Sequence, residues 1–88
     1  MDLSQAIITE HAAEQMAKRQ IALDDVIRVL KSPSEVLPVR TGRVVAHGMV
    51  GQPERPYLLR VFVDIDRKPP EVVTVYRTSK IDKYRSQP

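Results

Sequence analysis

His11, Arg60, Tyr76 and Lys80 are the side chains whose types best suit acid–base or phosphate chemistry in this sequence. Cleaving an RNA strand through its 2′-hydroxyl needs a general base, a general acid and cations that stabilise the crowded phosphorane. An imidazole exchanges protons near neutral pH, so His11 fits either proton-transfer role. Arg60 offers a phosphate a bidentate grip, and Lys80 offers a point charge. Tyr76, with Thr74 and Thr78, can orient a phosphate or a base, and a tyrosine ring can also stack on one. Each residue also has a plainer reading. His11 lies near a helix start, where a solvated histidine needs no function. Thr74 and Tyr76 are good strand formers in any case. Arg60, flanked by Leu58 and Phe62, needs a partner or solvent, and Asp64 can supply a salt bridge on the same face. His47 reads as a strand surface residue without a role.

The rest of the composition narrows the chemistry. The chain has no cysteine, which excludes disulfides and thiolate metal sites. Its two histidines, His11 and His47, are far apart and lack ligand-like spacing, so no metal site and no cofactor are expected. No apolar run is long enough for a membrane helix or a signal peptide, so a bacterial-type cytosol is the expected compartment, with no membrane partner. The net charge is +3, from 14 Lys and Arg against 11 Asp and Glu. The distribution is more informative than the total, because Arg77, Lys80, Lys83 and Arg85 crowd the C-terminal stretch with only Asp82 to offset them. Together with Arg60 they give a basic surface suited to RNA.

Positioning these residues requires an α+β fold in a single domain spanning residues 1–88. An apolar fraction of 42% with 28% charged residues is ordinary for a globular chain. The core must be mostly Val, Ile, Leu and Ala, since only Tyr57, Phe62, Tyr76 and Tyr84 are aromatic. A first helix is expected over residues 10–19, with Thr9 as N-cap and a stripe of Ala12, Ala13, Met16 and Ala17. A second runs over 23–31, opened by Asp24 and Asp25, and turns Val26, Ile27 and Leu30 to the sheet. The period then changes to that of strands, at 35–40, 43–50, 57–65 and 71–78, with a turn at Thr41-Gly42 and a loop over 51–56. Residues 79–84 can add a last helical turn. The expected sheet is antiparallel with about four strands.

Register sharpens the picture. A hairpin closed near Ile65 and Glu71 sets Arg60 opposite Tyr76 and Phe62 opposite Thr74. One face then carries Leu59, Val61, Val63, Val73 and Val75, which reads as the core beneath the helices. The other carries Arg60, Thr74, Tyr76 and Thr78. A slip of one residue would invert the two faces.

The segment His11-Ala12-Ala13-Glu14-Gln15-Met16-Ala17-Lys18-Arg19-Gln20-Ile21 resembles a family pattern His-x-x-x-Arg-Met-x-x-Arg-Gly-Ile. The blocks Arg60-Val61-Phe62-Val63-Asp64 and Val72-Val73-Thr74-Val75-Tyr76-Arg77-Thr78-Ser79-Lys80-Ile81-Asp82-Lys83-Tyr84 resemble later parts of it. The family is a group of small bacterial proteins of unknown function, discussed alongside RelE- and BrnT-like toxins. The resemblance implies a RelE-like arrangement, with helices on one sheet face and a nucleic-acid cleft on the other. It extends the candidate residues to His11, Arg19, Arg60, Thr74, Tyr76, Thr78, Lys80 and Tyr84. Two positions depart from the pattern. Gln15 stands in place of Arg, which removes a cation one helical turn from His11. Gln20 stands in place of glycine, the residue best suited to a left-handed helix cap.

The expected function is that of a toxin-like, metal-independent endoribonuclease, or of a degenerate relative that acts on RNA. His11, Arg60, Tyr76 and Lys80 would form its catalytic group. Arg19, Thr74, Arg77, Thr78, Lys83 and Tyr84 would contact RNA. Two rivals use the same residues. One is a non-catalytic RNA- or ribosome-binding module. The other is an interaction protein, either a homodimer or the partner of an antitoxin-like protein.

Overall fold

The computed structural model describes residues 2–85 and places three helices against a five-stranded mixed sheet. The elements run β1 (Ile7–Ile8), α1 (Glu10–Lys18), α2 (Leu23–Lys31), β2 (Glu35–Arg40), β3 (Arg43–Gln52), β4 (Arg55–Asp64), β5 (Glu71–Thr78) and α3 (Ile81–Tyr84). Strand order in the sheet is β1-β5-β4-β3-β2. The expected four antiparallel strands are present. The additional strand, β1, pairs in parallel with β5 at Ile7↔Glu71 and Ile8↔Val72. Two residues are too few to show an alternating pattern, so β1 carries no periodic signal in the sequence.

Helix α1 starts where the Thr9 side chain accepts a hydrogen bond from the Ala12 N–H at 3.2 Å, as an N-cap should. The same hydroxyl donates to the Val72 carbonyl at 2.8 Å, which ties the cap to β5. At the other end Ile21 N–H reaches the Met16 carbonyl at 2.9 Å and Gln20 N–H reaches that of Ala17 at 3.3 Å. This is a Schellman closure, and Gln20 adopts the left-handed conformation, φ 55°, that glycine would take at lower cost. The apolar stripe is narrower than expected. Ala12 and Met16 are buried, whereas Ala13 and Ala17 are exposed. In α2 the buried residues are Val26, Val29 and Leu30, while Ile27 faces outward. Val29 takes the inward place because it packs on Gly48 of β3, where a Cβ would lie 2.5 Å from Val29 Cγ2. Asp24 and Asp25 do sit in the first turn of α2, but the N-cap residue is Ala22.

The β4–β5 register follows the expected one through Arg60↔Tyr76, Val61↔Val75 and Phe62↔Thr74. It then shifts, so that Val63 pairs with Val72 and Asp64 with Glu71. This irregularity puts Val72 rather than Val73 in the core, and Val73 is only half-buried. The expected loop at 51–56 is shorter than composition suggests. β3 and β4 pair as far as Gln52↔Arg55, and Pro53-Glu54 forms the turn.

The main core fills the space between the helices and one sheet face, with Ala12, Val26, Leu59, Val61, Val63, Val72 and Val75 fully buried. The opposite face has no helix laid along it except α3. It still buries Val45, Leu58 and His47, none of which belongs to the main core. Among the described residues no helix is long and apolar enough to cross a membrane.

Candidate functional site

Arg60 lies in the middle of the sheet on the face away from α1 and α2. Its neighbours there are the side chains that strand alternation directs to that face. Pairing puts His47 of β3 opposite Arg60 on one side and Tyr76 of β5 opposite it on the other. Glu35 of β2 lies opposite His47. The four side chains form a continuous row across four strands. The Arg60 Nε–H donates to His47 Nε2 at 3.0 Å, and Arg60 Nη1 donates to the Tyr76 hydroxyl. His47 Nδ1 meets Glu35 Oε1 at 2.8 Å.

These contacts fix the chemistry of the imidazole. Nε2 accepts from a guanidinium, so the proton of neutral His47 resides on Nδ1 and is donated to Glu35. Burial of His47, which is 0% exposed, is acceptable because both ring nitrogens are satisfied.

Aromatic rings surround the cation. The Arg60 guanidinium carbon lies 4.2 Å from the ring centre of Tyr84, 5.1 Å from that of Phe62 and 5.4 Å from that of Tyr76. Phe62 and Tyr76 are stacked at 6.1 Å, and Tyr84 meets Tyr76 edge-on at 6.3 Å. Short helix α3 delivers Tyr84 to this position. The ammonium of Lys83, 5.3 Å from the Tyr84 ring centre, holds that phenol below the ordinary tyrosine range. The Tyr76 hydroxyl and the Arg60 charge act in the same direction. The bonds to His47 and Tyr76 use only part of the guanidinium's donor set, so Arg60 can also bind an anion.

The structure thus gathers Arg60, Tyr76 and Tyr84 around one point, with Thr74 and Thr78 on the same strand face. It does not bring every candidate there. His11 is exposed on α1 and takes part in no hydrogen bond of the Arg60 row. Lys80 is exposed at the start of α3, where its backbone N–H caps onto Thr78 Oγ1 at 3.0 Å. Arg77 points to the other face and lies over Tyr57, 5.0 Å from its ring centre.

Arg19 and Gln15 have a different job. Arg19 Nη1 donates to the Val75 carbonyl at 2.7 Å, and Gln15 Oε1 accepts from the Val75 N–H at 3.3 Å and from the Thr74 hydroxyl. Beyond β1, these two side chains satisfy the outward backbone groups of β5 in place of another strand. An arginine at position 15 has no acceptor and could not take the Val75 N–H.

Asp64 is not the partner of Arg60. It holds Arg43 through two hydrogen bonds of 2.6 and 3.2 Å, and that guanidinium keeps its carboxyl below the usual carboxylate range. The residues missed by sequence reasoning are His47, Glu35 and Phe62. His47, which reads in the sequence as a strand surface residue without a role, is the most buried polar side chain of the site. A signal did exist, since His47 falls opposite Arg60 once the β3–β4 turn is placed at Pro53-Glu54.

Among the described residues no group of three or more His, Asp or Glu is arranged to hold a metal ion. No curated protein matches the chain, and no solved structure does. The family match carries no link to RelE- or BrnT-like toxins. It covers residues 8–77, which run from the second residue of β1 through most of β5 and include Glu35, His47, Arg60 and Tyr76. The chain belongs to the family described as a domain of unknown function, DUF4258.

Proposed function

We propose that this domain acts on RNA as a metal-independent endoribonuclease of the toxin type, with the sheet face opposite α1 and α2 as its cleft. The observation that carries the reading is the Arg60 guanidinium, held by His47 and Tyr76 and ringed by Phe62, Tyr76 and Tyr84. A fixed cation beside aromatic faces suits a single RNA strand, whose phosphates need charge and whose splayed bases stack on rings. Tyr84 is the proton-transfer group in this scheme, because its ring lies 4.2 Å from the Arg60 guanidinium carbon and the Lys83 ammonium favours its ionised form. Its phenolate takes the 2′-hydroxyl proton, and the 2′-oxygen attacks phosphorus. Arg60 carries the phosphorane charge, and the 5′-oxygen departs with a proton from solvent. Lys80, Lys83 and Arg85 lie next to this face in sequence and supply its basic rim. The overall arrangement is RelE-like in this reading.

Induced expression in a bacterial host tests it, with growth and total RNA followed together. Growth arrest with RNA fragmentation, relieved by Arg60→Ala and by Tyr84→Phe but not by His11→Ala, is the expected result. Normal growth with intact RNA, or an Arg60→Ala variant as toxic as the parent, contradicts it. Relief by His11→Ala would return the acid–base role to that imidazole.

One observation favours a second reading, a non-catalytic RNA-binding module. His47, the only imidazole in the Arg60 row, has both nitrogens engaged, and His11 lies outside the row. Such a module leaves RNA intact and loses affinity steeply with added salt.

A further inference from the structure

The Glu35–His47 pair does more than fill the sheet face. We infer that His47, oriented by Glu35, is a positioning residue for Arg60, and that a second proton on His47 releases Arg60 and switches off the anion grip. The second half rests on the RNA reading above; the first half does not.

Donors and acceptors decide the state of the imidazole. Arg60 has only hydrogens to offer at Nε, so its 3.0 Å contact requires a lone pair on His47 Nε2. That lone pair exists only while His47 is neutral with its proton on Nδ1. Glu35 selects this tautomer, because the carboxylate 2.8 Å from Nδ1 can only accept. A doubly protonated His47 keeps its bond to Glu35 and gains a charge partner there. It then turns an N–H toward the Arg60 N–H, and two cationic donors face each other in a buried place. The row therefore has two arrangements, one with Arg60 docked and one with it displaced.

The groups facing His47 are few. Glu35 comes from β2 and Arg60 from β4, with Tyr76 of β5 and Tyr84 of α3 reached through Arg60. Arg43 and Asp64, further along the same face, are engaged with each other. Helices α1 and α2 pack against the opposite face of the sheet, where their buried residues join the main core. Burial of His47 at 0% exposure means that a proton arrives only with movement of the row, which couples protonation to the position of Arg60.

Long-range proton–nitrogen NMR of the full chain across a pH series tests this without RNA. The expected spectra show His47 as the Nδ1–H tautomer, with a slowly exchanging Arg60 Nε–H signal. That signal is lost in step with the second proton on His47, while the dispersed backbone spectrum persists. An Nε2–H tautomer, or an Arg60 Nε–H signal indifferent to His47 protonation, overturns the proposal. Glu35→Leu removes the acceptor for His47 Nδ1–H, so the tautomer is no longer fixed and the Arg60 Nε–H signal weakens at every pH. An Arg60 Nε–H signal as strong as in the parent overturns the role of Glu35.

A parallel arm measures anisotropy of a fluorescent single-stranded oligoribonucleotide. Its affinity should fall roughly ten- to a hundredfold over the same pH interval, as expected for losing a charge-assisted contact. Absence of RNA binding at every pH, with the NMR coupling intact, refutes the RNA reading and leaves the positioning pair supported. Binding that strengthens or stays constant while Arg60 is released overturns the switch.

Discussion

Leu59 and Arg60 are neighbours in β4, yet they serve two unlike surfaces. Leu59 is fully buried under the helices among Val61, Val63 and Val75, on a face whose fully buried side chains are all aliphatic. Arg60 lies on the reverse with His47, Tyr76, Phe62 and Glu35, where polar groups are satisfied by one another. Both faces are built from the same strands, because a strand alternates its side chains with a period of two. The helix-covered face supplies stability by excluding water. The other face supplies a fixed charge, and it can do so because the first face holds the strands in register.

Substitutions can break this division of labour, and the largest expected effect is on the covered face. Leu59→Ala should lose about 2–5 kcal/mol in denaturant unfolding, since it empties a closed aliphatic site. Folded Leu59→Ala protein should keep the RNA affinity of the parent. Arg60→Ala should do the reverse, with a larger loss of RNA affinity than of stability. Equal effects of the two on both readouts would dissolve the distinction.

The Arg43–Asp64 pair belongs to the polar face but serves stability, so it marks the edge of the site. Asp64→Asn should cost roughly 1.5–3 kcal/mol, as for a hydrogen bond between charged groups. Pairing lowers the folded-state pKa of Asp64 below its ordinary 3.8. The contribution is therefore complete above the unfolded value and is lost as pH falls through the folded one. Stability of the parent should drop along that acid limb, and Asp64→Asn should flatten it. Thermal melts between neutral and acid pH would show either outcome.

A smaller effect is expected at the end of α1. Gln20 occupies a left-handed conformation that costs an L-residue about 1–2 kcal/mol. Gln20→Gly relieves that cost at some loss of unfolded-state restriction, so a gain of about 1 kcal/mol is expected. The gain should appear in Tm without any change in RNA affinity. A destabilised variant would mean that the Gln20 side chain contributes contacts that outweigh the backbone.

Much of this arrangement was legible in the sequence. The helices and the β4–β5 pairing followed from apolar periodicity and from the hairpin closed near Ile65 and Glu71, so Arg60 and Tyr76 could be set side by side. What escaped depended on irregularities that leave no periodic trace. A turn at Thr41-Gly42 read as a regular ladder puts Glu35 opposite Gly48. The observed irregularity between Pro38 and Arg40 moves Glu35 opposite His47, and so creates the pair. Val72 replaced Val73 in the core for the same kind of reason. The roles of Gln15 and Arg19 were hidden because both serve the backbone of a distant strand, which no spacing within α1 reveals.

The sheet face around Arg60, opposite α1 and α2, is the surface expected to receive RNA. A titration of isotope-labelled protein with a short single-stranded oligoribonucleotide, followed residue by residue by NMR, tests it most directly. The account predicts saturable shifts at Arg60, Phe62, Tyr76, Thr78 and Tyr84, with α2 unchanged. Shifts confined to the exposed side of α2, around Arg28 and Lys31, or no shifts at all, would contradict it.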